Sequence, residues 1–94
     1  MPSIKIRVFA TLRELLGTKG FEIEAPVEDV GNLIQFIAER FQPSFKDTLL
    51  DEEGRVRKGY SILVNGRDIN FLQGLGTKLE DGDIIAIFPP VAGG

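Results

Sequence analysis

The residues best placed to do chemistry are the last six, Pro89-Pro90-Val91-Ala92-Gly93-Gly94. Glycine lacks a Cβ, so a nucleophile can approach a Gly94 carboxyl with little steric resistance. A carboxylate is a poor electrophile and needs a partner to activate it. Adenylation by ATP supplies a leaving group, after which sulfur or an amine can attack the acyl carbon. Val91, Ala92, Gly93 and Gly94 are all small, which suits a tail that enters a narrow tunnel in another protein. Pro89 and Pro90 cannot donate backbone hydrogen bonds, so they end a β-ladder and stiffen the exit toward an extended path. At average composition two terminal glycines arise by chance in about 0.5% of chains. A chance ending is therefore the weaker explanation, and Gly94, with Gly93, is the candidate reactive end.

Composition narrows the alternatives. The chain has 94 residues, enough for one domain, and 43% of them are apolar. It contains no cysteine and no histidine. Disulfides, thiolate nucleophiles and Cys-ligated metal sites are excluded, as are the usual general base and the commonest metal ligand. No metal site and no bound cofactor are expected, and a free-standing enzyme is improbable. Fourteen acidic residues against eleven basic ones give a formal charge of −3. Such a chain repels a phosphate backbone, so a nucleic-acid partner is not expected. The apolar runs are too short for a bilayer, and the N-terminus lacks a signal-peptide segment. The expectation is a cytoplasmic protein without membrane contact.

The elements that must carry the tail follow from periodicity. Ile4, Ile6 and Val8 alternate with polar residues and predict a first strand with that trio inward. Thr11 and Glu14 have capping-box spacing for a short helix over Leu12–Leu16, ended by Gly17. Phe21, Ile23 and Ala25 predict a second strand, with Gly20 at the turn before it and Pro26 closing it. Asp29 is the expected N-cap of the main helix, whose apolar stripe runs through Val30, Leu33, Ile34, Ile37, Ala38 and Phe41 until Pro43 stops it. Phe36 falls at the margin of the stripe. Between Ser44 and Gly59 the signal is weak, with a solvated turn over Asp51–Gly54. Tyr60, Ile62 and Val64 predict a third strand, Asn65-Gly66 a tight turn and Arg67–Ile69 a short return. Gly74–Thr77 lacks the P-loop lysine, and Asp81-Gly82-Asp83 lacks the rest of a calcium loop, so both read as turns. Ile84–Phe88 is apolar on both faces, as a central strand should be. The sum is an α+β fold: a mixed sheet of four or five strands with one main helix packed across one face.

Alternation also predicts a binding face. If Ile85 and Ile87 face the helix, Ile84, Ala86 and Phe88 face outward, and so do Phe9 and Leu63. On neighbouring strands, Phe9, Leu63 and Phe88 would form an exposed apolar patch, which usually marks an interface. Arg7 and Arg13 are candidates for its polar rim, although surface arginines are more often simply solvated.

Three segments carry a resemblance over nearly the whole chain: Phe9-Ala10-Thr11-Leu12-Arg13-Glu14-Leu15, Leu63-Val64-Asn65-Gly66, and Leu79-Glu80-Asp81-Gly82-Asp83 running into Ile87-Phe88-Pro89-Pro90-Val91-Ala92-Gly93-Gly94. With them the sequence resembles the MoaD/ThiS sulfur carriers, especially the small subunit of molybdopterin synthase. The resemblance implies a single ubiquitin-like β-grasp domain over residues 1–94 with a flexible tail from 89 to 94. It implies that a ubiquitin-activating-enzyme-like adenylyltransferase, using ATP and magnesium, adenylates Gly94, and that a sulfur donor converts it to a thiocarboxylate. The tail would then enter the large subunit of molybdopterin synthase and deliver sulfur for the molybdenum or tungsten cofactor. Pro89, Pro90, Val91 and Ala92 join Phe9, Leu63 and Phe88 as expected partner contacts. Two departures keep other pathways open. The stretch from Leu50 to Gly59 is longer than in bacterial synthase subunits. The stretch from Asn65 to Leu75 is similar to archaeal members, some of which are joined to lysines as protein modifiers, and to carriers that feed sulfur into cysteine synthesis. Thiamine synthesis and tRNA thiolation are further sulfur destinations.

Overall fold

The computed structural model describes residues 1–90. Five strands form one sheet: β1 (Ser3–Val8), β2 (Gly20–Glu24), β3 (Ser61–Val64), β4 (Arg67–Asp68) and β5 (Ile84–Phe88), in the order β2-β1-β5-β3-β4. β1 and β5 run parallel, and the other pairs are antiparallel. The sheet is mixed, as expected, and β5 is central. Three α-helices are present among the described residues, α1 (Thr11–Leu16), α2 (Val30–Arg40) and α3 (Ser44–Leu49), with two short 3-10 helices at Ile69–Phe71 and Gly74–Gly76.

The alternation in the strands sorts their faces. Ile4, Ile6 and Val8 of β1, Ile62 and Val64 of β3, and Ile85 and Ile87 of β5 are buried in one core with Val30, Leu33, Ile34 and Ile37 of α2. Asp29 caps α2 as predicted, its carboxylate accepting the Asn32 N–H at 2.8 Å. Gly17 ends α1 with φ 72, where a Cβ would be disfavoured. Asn65 and Gly66 both have positive φ, the conformation that joins β3 to β4 in a tight hairpin.

Several expectations are corrected. Thr11 and Glu14 form no capping box, because Thr11 is the first helical residue and the cap position falls on Ala10 without a side-chain bond. Main-chain bonds close this end instead: Leu12 N–H donates to Phe9 C=O at 3.1 Å and Arg13 N–H to Ala10 C=O at 3.0 Å. Phe41 is not on the core stripe. α2 ends one residue earlier, where Phe41 N–H and Gln42 N–H both turn to Ile37 C=O, and the Phe41 ring swings out to 56% exposure. It packs against Phe21, with ring centroids 5.0 Å apart. The weak region contains α3, whose Phe45 and Leu49 are completely buried. The predicted return strand is only Arg67–Asp68; Ile69 is buried in a 3-10 turn instead. The third strand starts at Ser61, and Tyr60 lies half-buried before it.

The Asp51–Gly54 turn is held by its first residue. Asp51 Oδ1 accepts the Glu53 N–H at 2.9 Å and the Arg55 N–H at 3.0 Å. The Arg55 bond, more than the Glu53 bond and the charges of Arg55 and Arg57, holds this carboxyl below its usual range against the opposing effect of desolvation. Of the two glycine-containing segments read as plain turns, Asp81-Gly82 is one, whereas Gly74–Gly76 forms a short 3-10 helix. Thr77 hydroxyl donates to Gly74 C=O at 2.7 Å, and Asp83 carboxylate accepts the Glu80 N–H at 2.8 Å and the Asn65 amide at 2.9 Å.

Candidate functional site

Strand register assembles the outer face. In the parallel β1–β5 pair Val8 stands opposite Ile87, so the next step sets Phe9 beside Phe88. Their rings stack with centroids 4.2 Å apart and planes 7° apart. In the antiparallel β3–β5 pair Leu63 stands opposite Ala86 and Ser61 opposite Phe88. Leu63 is therefore one diagonal step from Phe88 on the same face. Arg7 stands opposite Ala86 from the other side. Arg7, Ala86 and Leu63 thus make one row across three strands, and the Phe9–Phe88 stack and Ser61 make the next.

Neither aromatic belongs to the core. Phe88 is 37% exposed, and Phe9 and Leu63 are half-buried, whereas Ile85 and Ile87 on the opposite side of β5 are 0% exposed. Rings held partly in water by a rigid sheet already have restricted rotamers, so a partner covering them gains apolar burial at low entropic cost.

Arg13 orders the border of this face. Its Nε donates to Val8 C=O at 2.8 Å, and its guanidinium carbon lies 4.9 Å from the centroid of the Phe9 ring. The chain enters α1 through Ala10 at φ 51 and ψ −128, a conformation that L-residues seldom adopt. This reversal places Arg13 against the ring four residues before it. A concavity of about 510 Å³ opens beside Phe9, and four cations, Lys5, Arg7, Arg13 and Lys19, line it against one carboxylate, Glu22. The apolar patch therefore has a cationic border on its β1 side. Arg13 is thus more than the solvated surface arginine that the sequence favours: it is anchored to the β1 backbone and the Phe9 ring. The Phe9/Arg13 spacing of four across a strand-to-helix turn was the available signal.

The tail leaves from the end of β5. Pro89 is half-buried and Pro90 exposed. The expected reactive residues Gly93 and Gly94, and the contacts Val91 and Ala92, lie outside the described residues. Among the described residues no helix is long and apolar enough to cross a membrane.

The chain as a whole has known counterparts. A model of the ThiS family matches residues 6–94. The chain belongs to that family. Small archaeal modifier protein 3 of Haloferax volcanii is 37% identical to it over 94 residues, covering 97% of this chain and 98% of the relative. The molybdopterin synthase sulfur carrier subunit of Escherichia coli is 36% identical over 91 residues, covering 97% and 99%. Among solved structures, a chain of the BexX/CysO complex of Amycolatopsis orientalis superposes with a TM-score of 0.82 at 30% identity, covering 97% of this chain and 99% of that one. The fold is the ubiquitin-like β-grasp. These relatives are a small modifier protein and small sulfur carriers.

Proposed function

We propose that this chain is a sulfur carrier whose Gly94 carboxylate becomes a thiocarboxylate, and that it serves as the small subunit of a molybdopterin synthase. The observation that carries this reading is the continuity of β5. Its outward Phe88, stacked on Phe9, is followed directly by Pro89 and Pro90. One strand therefore presents a docking surface and launches the reactive end.

The chemistry proceeds in three steps. The Gly94 carboxylate attacks the α-phosphorus of ATP on an adenylyltransferase partner, releasing pyrophosphate and leaving an acyl adenylate. A sulfur donor's nucleophilic sulfur then adds to the acyl carbon and AMP departs. With a persulfide donor, a second donor thiol then attacks the donor's own sulfur in the resulting acyl disulfide, forming a donor disulfide and releasing the thiocarboxylate. The nucleotide and its magnesium are held by the partner, and this chain contributes the acyl group and the surface that docks it. In the synthase the tail inserts into the large subunit and gives up its sulfur. A related CysO has been solved in complex with BexX, which supports a protein-binding role for a carrier of this kind.

The likeness to a small archaeal modifier protein supports a second reading, in which an amine of a target lysine replaces sulfur as the nucleophile. Mass spectrometry of the protein from its own host separates the two. The carrier reading expects sulfur in place of one terminal oxygen. Gly-Gly remnants on target lysines, with no thiocarboxylate at any stage of growth, would leave the modifier reading standing alone.

A further inference from the structure

We propose that Gly59 is a positioning residue for the tail, a role that rests on the carrier reading above. The antiparallel register pairs Ser61 with Phe88. Continued by two residues, it sets Gly59 opposite Pro90. Proline has no N–H to extend the ladder, so the two can meet only by packing. They pack closely. A Cβ added to Gly59 would lie 2.8 Å from Pro90 Cβ, 3.0 Å from its Cγ and 3.6 Å from its Cα. Those ring atoms are not the end of a flexible side chain. They are closed onto the backbone nitrogen, so pushing the ring moves the main chain that leads into the tail.

Gly59 itself is fixed. It stands at φ +92, and the next residue closes the turn, with Tyr60 N–H donating to Arg57 C=O at 3.2 Å. A bare stretch of backbone thus serves as the bed on which Pro90 lies, and it sets the point from which residues 91–94 continue toward a partner's reactive centre.

The position also explains why a glycine stands at this point of the weakly patterned 44–59 stretch. A side chain there would meet both the conformational penalty of positive φ and the proline ring. To restore an ordinary 3.4 Å contact with an added methyl, Pro90 must retreat by about 0.6 Å. Misplacement by 1 Å costs on the order of a hundredfold in a positioned reaction, so a loss of roughly 10- to 100-fold is expected.

Gly54 provides the matched control. It stands at φ +81 with nothing within 4 Å of an added Cβ, so alanine there meets similar backbone strain and no contact. The experiment uses the full chain with its activating enzyme and ATP, following pyrophosphate exchange and thiocarboxylate formation alongside thermal melting. Gly59→Ala should lose at least as much stability as Gly54→Ala, since it adds the proline contact to the shared backbone strain, and Gly59→Ala alone should lose rate, in kcat, with KM within about twofold because the outer face still docks. Pro90→Gly, which withdraws the ring instead of pushing it, should lose rate with melting close to wild type. Wild-type kcat in Gly59→Ala, or an equal loss in Gly54→Ala, overturns the proposal. An inert wild-type protein would instead sink the carrier reading. NMR then decides the positional claim: the amide resonances of residues 91–94 should move in Gly59→Ala and stay in place in Gly54→Ala, and unmoved resonances in Gly59→Ala overturn it.

Discussion

Truncating Phe88 to alanine should separate docking from folding, and the structure sets both magnitudes. The ring is 37% exposed and stacks on Phe9 at 4.2 Å. An aromatic pair contributes about 0.5–1.5 kcal/mol beyond its area, so the fold should lose only about 1–2 kcal/mol, a tolerable fraction of the roughly 5–14 kcal/mol expected for a domain of this size. An interface anchor of this kind is worth about 2 kcal/mol or more, which raises Kd for the activating enzyme about 30-fold. Ile87→Ala, one residue away on the same strand, has the opposite signature. Its side chain is fully buried, so it should cost about 2–5 kcal/mol of stability and leave the affinity of the folded fraction unchanged. Phe9→Ala should resemble Phe88→Ala. Because the two rings act as one stacked unit, the double variant should cost less than the sum of the singles. Urea melts and isothermal titration against the activating enzyme measure both axes. Equal destabilisation by Phe88→Ala and Ile87→Ala, or a Phe88→Ala affinity within about twofold of wild type, would refute the assignment of this face.

Three other outcomes are expected. Phe45→Ala should cost about 3–5 kcal/mol in a urea melt, since Phe45 fills the core from α3 and its loss leaves a cavity. Appending one residue after Gly94, or deleting Gly94, should abolish thiocarboxylate formation with no change in melting temperature, because each moves the carboxyl by up to ~3.6 Å; normal yield from the extended protein with its extra residue still attached would contradict this. The depressed carboxyl of Asp51 stabilises its turn fully above the unfolded value of 3.8 and loses that contribution as pH falls through the lower folded value. In an NMR titration the Glu53 and Arg55 amides should therefore report a midpoint below 3.8, and Asp51→Asn should remove that titration.

How much of this was legible in the sequence depended on how locally each feature is encoded. The strands β1 and β5 and the helix α2 show clear periods, so their inward residues were readable, and the face of Phe88 followed from that of Ile87. Phe41 misled because a stripe in sequence cannot reveal where a helix unwinds; the turn of Phe41 and Gln42 toward Ile37 ended α2 first. α3 went unseen because six residues offer only one repeat of a helical period, the pair Phe45 and Leu49. The capping box failed because its spacing is short and common, while the reversal at Ala10 depends on β1 and α1 packing together. The contact between Gly59 and Pro90 joins positions 31 residues apart, and only the β3–β5 register brings them opposite.

The parts of β5 are tied to one another in a way that constrains any partner. A slip of one residue in its register would turn Ile85 and Ile87 to the water and Phe88 to the core, so burial of the inward pair fixes which face docks. The prolines then end the ladder at a set place, since neither Pro89 nor Pro90 can donate the next bond. From Phe88 to Gly94 there are six residue steps, which reach at most roughly 20 Å when extended. A protein that covers the Phe9–Phe88 stack and also reacts with Gly94 must therefore hold its reactive centre within that distance of the pocket receiving Phe88. On the proposed carrier reading, an adenylating enzyme and a synthase subunit could share this chain without similar folds of their own, provided that each repeats the same spacing between surface and tunnel.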